Sequence, residues 1–248
     1  MTAEGRPRSR FPLRLDRLPA VGSPGGTVLR PQRDLAAAYP DAGRSGSPAG
    51  LGLDSIDVRR RMVERLRDGG VGQSQVIEAL LRVPRHSFVD TALATQAYED
   101  TSLPIGHGQT ISKPSVVARM LEMLFEGTNA RRHGNLGAVL EIGTGCGYQA
   151  ALLSELSVRV ISMERLKPLH EKARDLLAPI RSNRLRLVHG DGMLGHPPNA
   201  PYDSIIAAAG GAQVPEAWLD QLAVGGRLVS PVDQADGSQA LVVVDRRE

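Results

Sequence analysis

The sequence of 248 residues contains a single cysteine, Cys146, and few aromatic side chains: one Trp, four Tyr and three Phe. One thiol cannot close an intramolecular disulfide, which favours a reducing compartment. The scarcity of aromatics argues against single-stranded nucleic acid as a partner, because bases stack on aromatic side chains. No apolar run approaches the roughly 20 residues that a membrane-spanning helix needs. We therefore expect a cytoplasmic, monomeric protein that binds neither membrane nor nucleic acid.

The positive charge of the chain is concentrated at its N-terminus. Residues 1–50 contain eight arginines against four acids, a net of +4, whereas the whole chain carries +3. The remaining residues are nearly neutral, unlike a nucleic-acid-binding domain. Seven prolines and seven glycines in the same 50 residues predict a disordered extension over residues 1–52. It lacks the apolar core of a secretory signal and contains acids that transit peptides avoid, so a solvated tail is the favoured interpretation.

Residues 53–136 are predicted to form a small helical subdomain. The segment "DSIDVRRRMVERLRDGG", residues 54–70, has helical apolar spacing and a glycine stop, and a second helix fits residues 74–82. A third helix is expected from residue 113 to about 126. It follows the turn-forming run "LPIGHGQTISKPS", in which Ser112 is placed either to cap this helix or to form part of a site.

From residue 137 onward, short apolar runs alternate with helical segments. The predicted strands are residues 138–143, 159–164, 184–191, 202–209 and 226–232. This alternation predicts right-handed βαβ units, hence an α/β domain over residues 137–248 with a mostly parallel sheet and helices on both faces. Ligands of such sheets bind beyond the carboxyl ends of the strands.

The first of these strands ends in "LEIGTGCGYQA", with glycines at 143, 145 and 147. Tyr148 stands where a dinucleotide-binding fingerprint has its third glycine. The three glycines are compatible with a tight turn alone or with a loop that a ligand approaches closely.

Three successive strand ends each carry a residue compatible with a nucleoside ligand, the first being the glycine run that begins at Gly143. Glu164 ends the second strand, about 20 residues after Gly143, where such folds place the acid that binds ribose hydroxyls. Asp191 and Gly192, in "HGDG", follow the third strand, where a short acid could meet an adenine amino group. Glu141 lies inside the first strand, where a buried carboxylate is costly unless it is paired. A cationic cofactor, directly or through an intermediate side chain, would justify Glu141, and so would backbone donors.

Together the motifs "LPIGHGQTISKPSVVARMLEML", "VLEIGTGCGYQAALL", "VISMERLKPL", "HGDG", "APYDSIIAAAG" and "VPEAWLDQLAVGGRLVSPV" closely resemble the protein-L-isoaspartate O-methyltransferase family, bacterial form. The resemblance runs from about residue 54 to 232, and "GQTIS" is a signature of this family. It implies a Rossmann-like class I methyltransferase fold that uses S-adenosyl-L-methionine and releases S-adenosyl-L-homocysteine. The implied reaction repairs damaged proteins and peptides by methylating the α-carboxylate of L-isoaspartyl, and also D-aspartyl, residues.

The resemblance also implies roles for individual residues. Ser112 would be the active-site serine that orients the substrate carboxylate, and Gln109, Thr110 and Ile111 would line the cofactor and substrate pocket. Gly143, Gly145 and Gly147 would underlie the methionine part of the cofactor, with Glu141 behind them. Glu164 would bind the ribose, and Asp191 and Gly192 the adenine. Some relatives have a histidine where this chain has Val117, so that contact would be absent.

No general base is required for this chemistry, because a carboxylate with an ordinary pKa near 4 is already ionised at neutral pH. His107, His170 and His189 lack the spacing of metal ligands, so no metal site is expected. Cys146 is interpreted as a small turn residue, and Asp203 as a residue that caps or pairs.

The C-terminal part departs from the family pattern. Family members continue beyond "ALVVVDR", residues 240–246, so we expect this segment to be an edge strand without its hairpin partner. Two alternatives to the repair enzyme follow. One is a shortened relative that binds the cofactor with little turnover, and the other is a methyltransferase for a small molecule or RNA.

Overall fold

The computed structural model describes residues 56–180 and 182–247, and the predicted extension over residues 1–52 lies outside them. Four helices precede the main sheet: α1 Ile56–Asp68, α2 Ser74–Arg82, α3 Pro114–Phe125 and α4 Thr128–His133. The first three confirm the sequence prediction to within two residues. Helix α1 stops at a glycine pair whose second member, Gly70, has a φ of 94°, a conformation that favours glycine. Helix α4 was not predicted, because "TNARRH" has no apolar periodicity.

The main sheet has six strands in the order β5-β4-β3-β6-β7-β8. The strands are β3 Ala138–Ile142, β4 Arg159–Glu164, β5 Leu185–His189, β6 Tyr202–Ala207, β7 Leu222–Asp233 and β8 Gln239–Asp245. All neighbours are parallel except β7 and β8. Helices α5 Tyr148–Leu156, α6 Lys167–Leu177 and α7 Glu216–Asp220 lie between strands along the chain. The five predicted strands are confirmed, with β5 and β6 shorter than predicted and β7 longer.

Helices cover both faces of this sheet. Successive strand side chains point to opposite faces, and Val139 and Leu140 of β3 accordingly belong to two different hydrophobic clusters. Val139 shares its cluster with buried residues of helices α1, α2, α3, α5 and α6. Leu140 shares the other with Trp218 of helix α7. The N-terminal helices therefore pack in the same core as one face of the sheet, and the domain boundary at residue 136 stays a prediction.

The turn-forming run before helix α3 is a β-hairpin, which the sequence did not predict as strand. Strands β1 Leu103–Gly106 and β2 Gln109–Ile111 pair antiparallel. Gly106, His107 and Gly108 at the turn have φ values of 99°, 54° and 69°. Glycine tolerates this left-handed region without cost, so the two glycines permit a turn that also places His107 at positive φ.

Strand β8 lies at the edge of the sheet, as predicted, and the expectation that the family's following strand is missing stays a prediction. Strand β8 pairs with β7 over seven residues, from Gln239 to Asp245. Two hydrogen bonds join Arg227 of β7 to Asp245 of β8, at 2.7 and 2.8 Å. These bonds lower the pKa of the Asp245 carboxyl. The antiparallel ladder and this ion pair hold the last described strand in place.

Candidate active site

The glycine-containing loop, residues 143–147, leaves strand β3 at the carboxyl edge of the sheet. The main-chain N–H groups of Gly143 and Thr144 both donate to the carbonyl of Met163, at 2.9 and 3.1 Å. Gly143, Gly145 and Gly147 have φ values of 91°, 57° and 94°. The loop is thus tied to the end of strand β4, beside Glu164.

Glu164 is buried, and both of its carboxylate oxygens accept main-chain hydrogen bonds. Oε2 accepts from Gly145 N–H and Oε1 from Leu166 N–H, each at 2.9 Å. A carboxylate oxygen has two lone pairs, so each retains capacity for another donor. Glu164 therefore organises the glycine loop and can still accept hydrogen bonds from a pair of hydroxyl groups.

Two of the predicted glycines are required by protein packing. A Cβ on Gly147 would lie 2.8 Å from Leu177, and a Cβ on Gly192 would lie 2.7 Å from Ile142. A Cβ on Gly143 would make only ordinary contacts, the nearest at 3.5 Å, so its positive φ is the constraint there. The loop glycines thus serve backbone conformation and close helix packing, whether or not a ligand is present.

Glu141 is completely buried and belongs to a chain of polar side chains that the sequence did not predict. Glu141 and Ser162 are opposite each other in the β3–β4 register, and the Ser162 hydroxyl donates to Glu141 Oε2. The hydroxyls of Ser162 and Thr144 are 2.6 Å apart, which extends the chain into the glycine loop. Ser162, the polar residue inside the apolar run "RVISME", was the one sequence signal of this chain of side chains. Only the register of the strands shows that its partner is Glu141.

The second oxygen of Glu141 and Gln149 Nε2 make no hydrogen bond of ordinary length, but the two groups are close enough to interact with each other. Burial raises the pKa of Glu141 to about 8, although the Ser162 hydroxyl and the amide of Gln149 lower it. A buried carboxyl group that is this weakly hydrogen-bonded and lies next to the glycine loop fits a cationic ligand, because a nearby positive charge would stabilise its ionised form.

The predicted adenine-binding pair lies after strand β5. Asp191 is exposed, and its Oδ1 accepts from the N–H of Met193 at 3.0 Å. Gly192 is buried, and its carbonyl accepts from the indole N–H of Trp218 at 2.7 Å. The sequence did not identify Met193 and Leu194, whose side chains are 55% and 71% exposed. They give the Asp191 turn an apolar surface on which a flat ring could pack.

The β1–β2 hairpin contacts the glycine loop through Ile105. A Cβ on Gly145 would lie 3.2 Å from the Ile105 side chain, and the Lys172 ammonium of helix α6 donates to the Ile105 carbonyl at 3.0 Å. Neither residue was predicted. Within the predicted "GQTIS" segment, Gln109 is half-buried, Thr110 is exposed and Ile111 is buried.

Of the two roles considered for Ser112, the structure contradicts the helix cap. The helix begins at Pro114, and its N-cap is Lys113, whose side chain makes no capping bond. Instead, Asp100 accepts from the N–H and the hydroxyl of Ser115, at 2.9 and 2.8 Å. The Ser112 hydroxyl, in a half-buried side chain, makes no hydrogen bond within the described residues, so it is available to a ligand.

Other candidate residues take structural positions. Asp203 pairs as predicted, since its two oxygens accept from Asn129 and from the N–H of Ala138. Cys146 is buried, and burial raises the pKa of its thiol, which keeps it protonated. The rings of His170 and His189 lie 5.6 Å apart, whereas His107 is in the hairpin turn. In the described part of the chain, no cluster of three or more metal-ligating side chains occurs, and no helix is long and apolar enough to span a membrane.

Comparisons with known proteins identify the family. The family model for protein-L-isoaspartate(D-aspartate) O-methyltransferase matches residues 57–248. A protein-L-isoaspartate O-methyltransferase of Methylibium petroleiphilum is 58% identical over 99% of this chain and 91% of its own length. A second relative carrying the same name, from Leptothrix cholodnii, is 58% identical over 96% of this chain and 87% of its own length.

Solved structures show the same architecture. A protein-L-isoaspartate O-methyltransferase structure superposes with a TM-score of 0.67 at 29% identity, over 77% of this chain and 60% of that one. A Plasmodium falciparum protein of the same name, in complex with S-adenosyl-L-homocysteine, shares the fold with a TM-score of 0.63 at 22% identity, over 77% and 90% of the two chains. The chain has the class I methyltransferase fold and belongs to the protein-L-isoaspartate(D-aspartate) O-methyltransferase family.

Proposed function

We propose that this chain transfers a methyl group to the α-carboxylate of L-isoaspartyl, and also D-aspartyl, residues in damaged proteins and peptides. The observation that carries the proposal is the carboxyl edge of the sheet, where Glu164 holds the glycine loop and the hairpin that leads to Ser112 contacts this loop through Ile105. Family membership supplies the class of reaction, and the described residues supply the means to hold both reactants.

The residues fit the cofactor S-adenosyl-L-methionine. Glu164 retains lone pairs for the ribose hydroxyls, and Asp191 retains carboxylate capacity for the adenine amino group beside the exposed Met193. Glu141 is buried behind the loop, where the cationic methionine part of the cofactor would favour its ionised form. When bound, the cofactor supplies an electrophilic methyl group on a sulfonium and is released as S-adenosyl-L-homocysteine.

On the substrate side, we assign the orienting hydroxyl to Ser112. This hydroxyl has no partner among the described residues, so it can donate to one oxygen of the substrate carboxylate without breaking another bond. Gln109, Thr110 and Ile111 precede it on strand β2 and line the approach. The carboxylate is already ionised, so alignment of oxygen, methyl carbon and sulfur is the main task, and alignment alone can lower a barrier by several kcal/mol.

The test is methyl transfer from labelled S-adenosyl-L-methionine to an isoaspartyl peptide and to the matched normal aspartyl peptide. Label in the isoaspartyl peptide alone is the expected result. Equal labelling of both peptides, or of neither, would contradict the proposal. Calorimetry with the cofactor separates an inactive cofactor-binding protein from one that does not bind.

We further propose a monomer that works in the cytoplasm and binds neither nucleic acid nor membrane. The nearly neutral charge beyond residue 50 supports the lack of a nucleic-acid partner, and the buried free thiol of Cys146 supports a reducing compartment. Light scattering on the purified chain measures the oligomeric state directly, and a dimer would overturn that part.

A further inference from the structure

Arg85 is a buried cation that forms no ion pair with a described residue, although the more distant charge of Asp100 acts on it. Its side chain is 0% exposed, its Nε donates to the carbonyl of Ala97 at 2.7 Å, and its Nη2 donates to the carbonyl of Ser112 at 2.8 Å. Within residues 56–180 and 182–247, no carboxylate lies within ion-pair distance of it. The guanidinium is therefore held by neutral acceptors, one of which belongs to the proposed active-site serine.

The same guanidinium also reaches the start of helix α5. Its Cζ lies 5.0 Å from the ring centroid of Tyr148, the first residue after the glycine loop. Its Nη1 and the Tyr148 hydroxyl are both buried and make no hydrogen bond of ordinary length, but the two polar groups interact with each other. One side chain thus touches both the Ser112 segment and the helix that follows the cofactor loop.

Stability alone is a poor reason for this arrangement. Removing a cation from water costs several kcal/mol, and well-packed apolar residues of similar volume are often as stable. Positive charge at low dielectric, however, acts strongly on a nearby anion. The group that the proposed function brings to Ser112 is an anion, the substrate carboxylate.

We infer that Arg85 is a positioning residue for methyl transfer, which fixes the Ser112 main chain and provides positive potential that favours a carboxylate at the Ser112 hydroxyl. The inference rests on the proposed function. It assigns Arg85 an effect on substrate affinity through Ser112, with no direct contact to the reacting atoms.

The test compares Arg85→Gln and Arg85→Lys with the control Arg59→Gln. Arg59 also donates to two main-chain carbonyls, those of Leu81 and Arg82, but it joins helices α1 and α2 and makes no hydrogen bond to the hairpin or to Ser112. We expect Arg85→Gln to lower kcat/KM for the isoaspartyl peptide roughly 30-fold, mainly through KM, with cofactor Kd changed less than about threefold. Arg85→Lys keeps the charge and should retain several times more activity than Arg85→Gln.

The control distinguishes positioning from simple loss of stability. Arg59→Gln should lower the melting temperature but leave the peptide KM within about twofold. The inference is overturned if Arg85→Gln changes KM no more than Arg59→Gln, or if the lysine variant is no better than the glutamine variant. If the wild-type chain fails to methylate the isoaspartyl peptide, the proposed function itself has failed.

A measurement on the wild-type chain covers the case in which the Arg85 variants do not fold. An isoaspartyl peptide and its neutral carboxamide analogue are compared as competitive ligands in the presence of S-adenosyl-L-homocysteine. Positive potential at Ser112 predicts at least about tenfold tighter binding of the carboxylate. Equal affinity of the two peptides would overturn the inference.

Discussion

The main-chain N–H of Gly145 donates a 2.9 Å hydrogen bond to Oε2 of Glu164, and so joins the loop after strand β3 to the end of strand β4. The other oxygen of Glu164 accepts from Leu166 N–H at the start of helix α6. A single carboxylate therefore holds two backbone segments at the sheet edge where the cofactor is proposed to bind.

Replacing Glu164 with glutamine should weaken cofactor binding. The glutamine NH₂ cannot accept a hydrogen bond, so either Gly145 or Leu166 loses its acceptor, and so does a ribose hydroxyl. We expect the Kd for S-adenosyl-L-methionine to rise about tenfold or more by calorimetry. Glu171→Gln, on the exposed side of helix α6, is the matched control and should leave the Kd unchanged. Equal Kd values for wild type and Glu164→Gln would contradict the assignment.

Substitutions at Ser112 and at Asp100 should have different effects, because we assign Ser112 to catalysis and Asp100 to the start of helix α3. Asp100→Ala removes the acceptor for Ser115 at the start of helix α3 and should cost about 1 kcal/mol of unfolding free energy. Ser112→Ala should leave the melting temperature nearly unchanged and lower methyl transfer about tenfold or more. Ser112→Thr keeps a hydroxyl and should retain part of the activity. A serine that only supports the fold would show the reverse pattern, with stability lost and transfer intact.

The stability of the protein should fall as pH rises through the neutral range because of Glu141. Burial raises the pKa of this carboxyl from 4.5 to about 8, so between these values the folded chain holds a proton that the unfolded chain has released. The stabilisation that Glu141 contributes to the free energy of unfolding is fully present below pH 4.5 and is lost by about pH 8. Between these values the free energy of unfolding falls by up to about 1.4 kcal/mol per pH unit. Denaturant titrations at several pH values should show a shallower slope in Glu141→Gln. Identical slopes would show that Glu141 does not carry the effect.

Cofactor binding should be coupled to the same proton. A cationic ligand near Glu141 favours its ionised form, so binding of S-adenosyl-L-methionine near pH 7 should release a proton and tighten as pH rises toward 8. Calorimetry in buffers of different ionisation enthalpy counts the protons released. The release should shrink in Glu141→Gln, and a wild type that releases none would refute the coupling.

Gly147→Ala should destabilise the fold by about 1–3 kcal/mol. The new methyl group would lie 2.8 Å from Leu177, and the residue has a φ of 94°. Gly211→Ala is the control, because no atom lies within 4 Å of its Cβ and its φ is not positive. The melting temperatures of the two variants are compared by thermal denaturation. Equal melting temperatures would mean that helix α6 shifts freely away from the loop.

Much of the site could be predicted because its residues follow strand ends. Apolar runs interrupted by glycine located the loop at Gly143, and the βαβ order placed Glu164 beside it, since parallel strands end at one edge of a sheet. The hairpin was missed because "LPIGHGQTI" is short and rich in turn-formers, and its strands are defined only by pairing with each other. Ser112 does not cap helix α3, because Asp100, outside the helix and its turn, accepts the hydrogen bond from the N–H of Ser115.

The order of strands and helices, the glycine loop and the acids that follow the strands were determined by the sequence itself, through local periodicity and turn chemistry. The tertiary structure alone decided which of these groups meet. Register brought Ser162 to Glu141, chain packing brought Arg85 to the Ser112 carbonyl, and Lys172 reached Ile105 from helix α6. The physical reason is that a hydrogen bond or a buried charge depends on distances of a few ångströms between residues far apart in the chain, which local pattern does not encode.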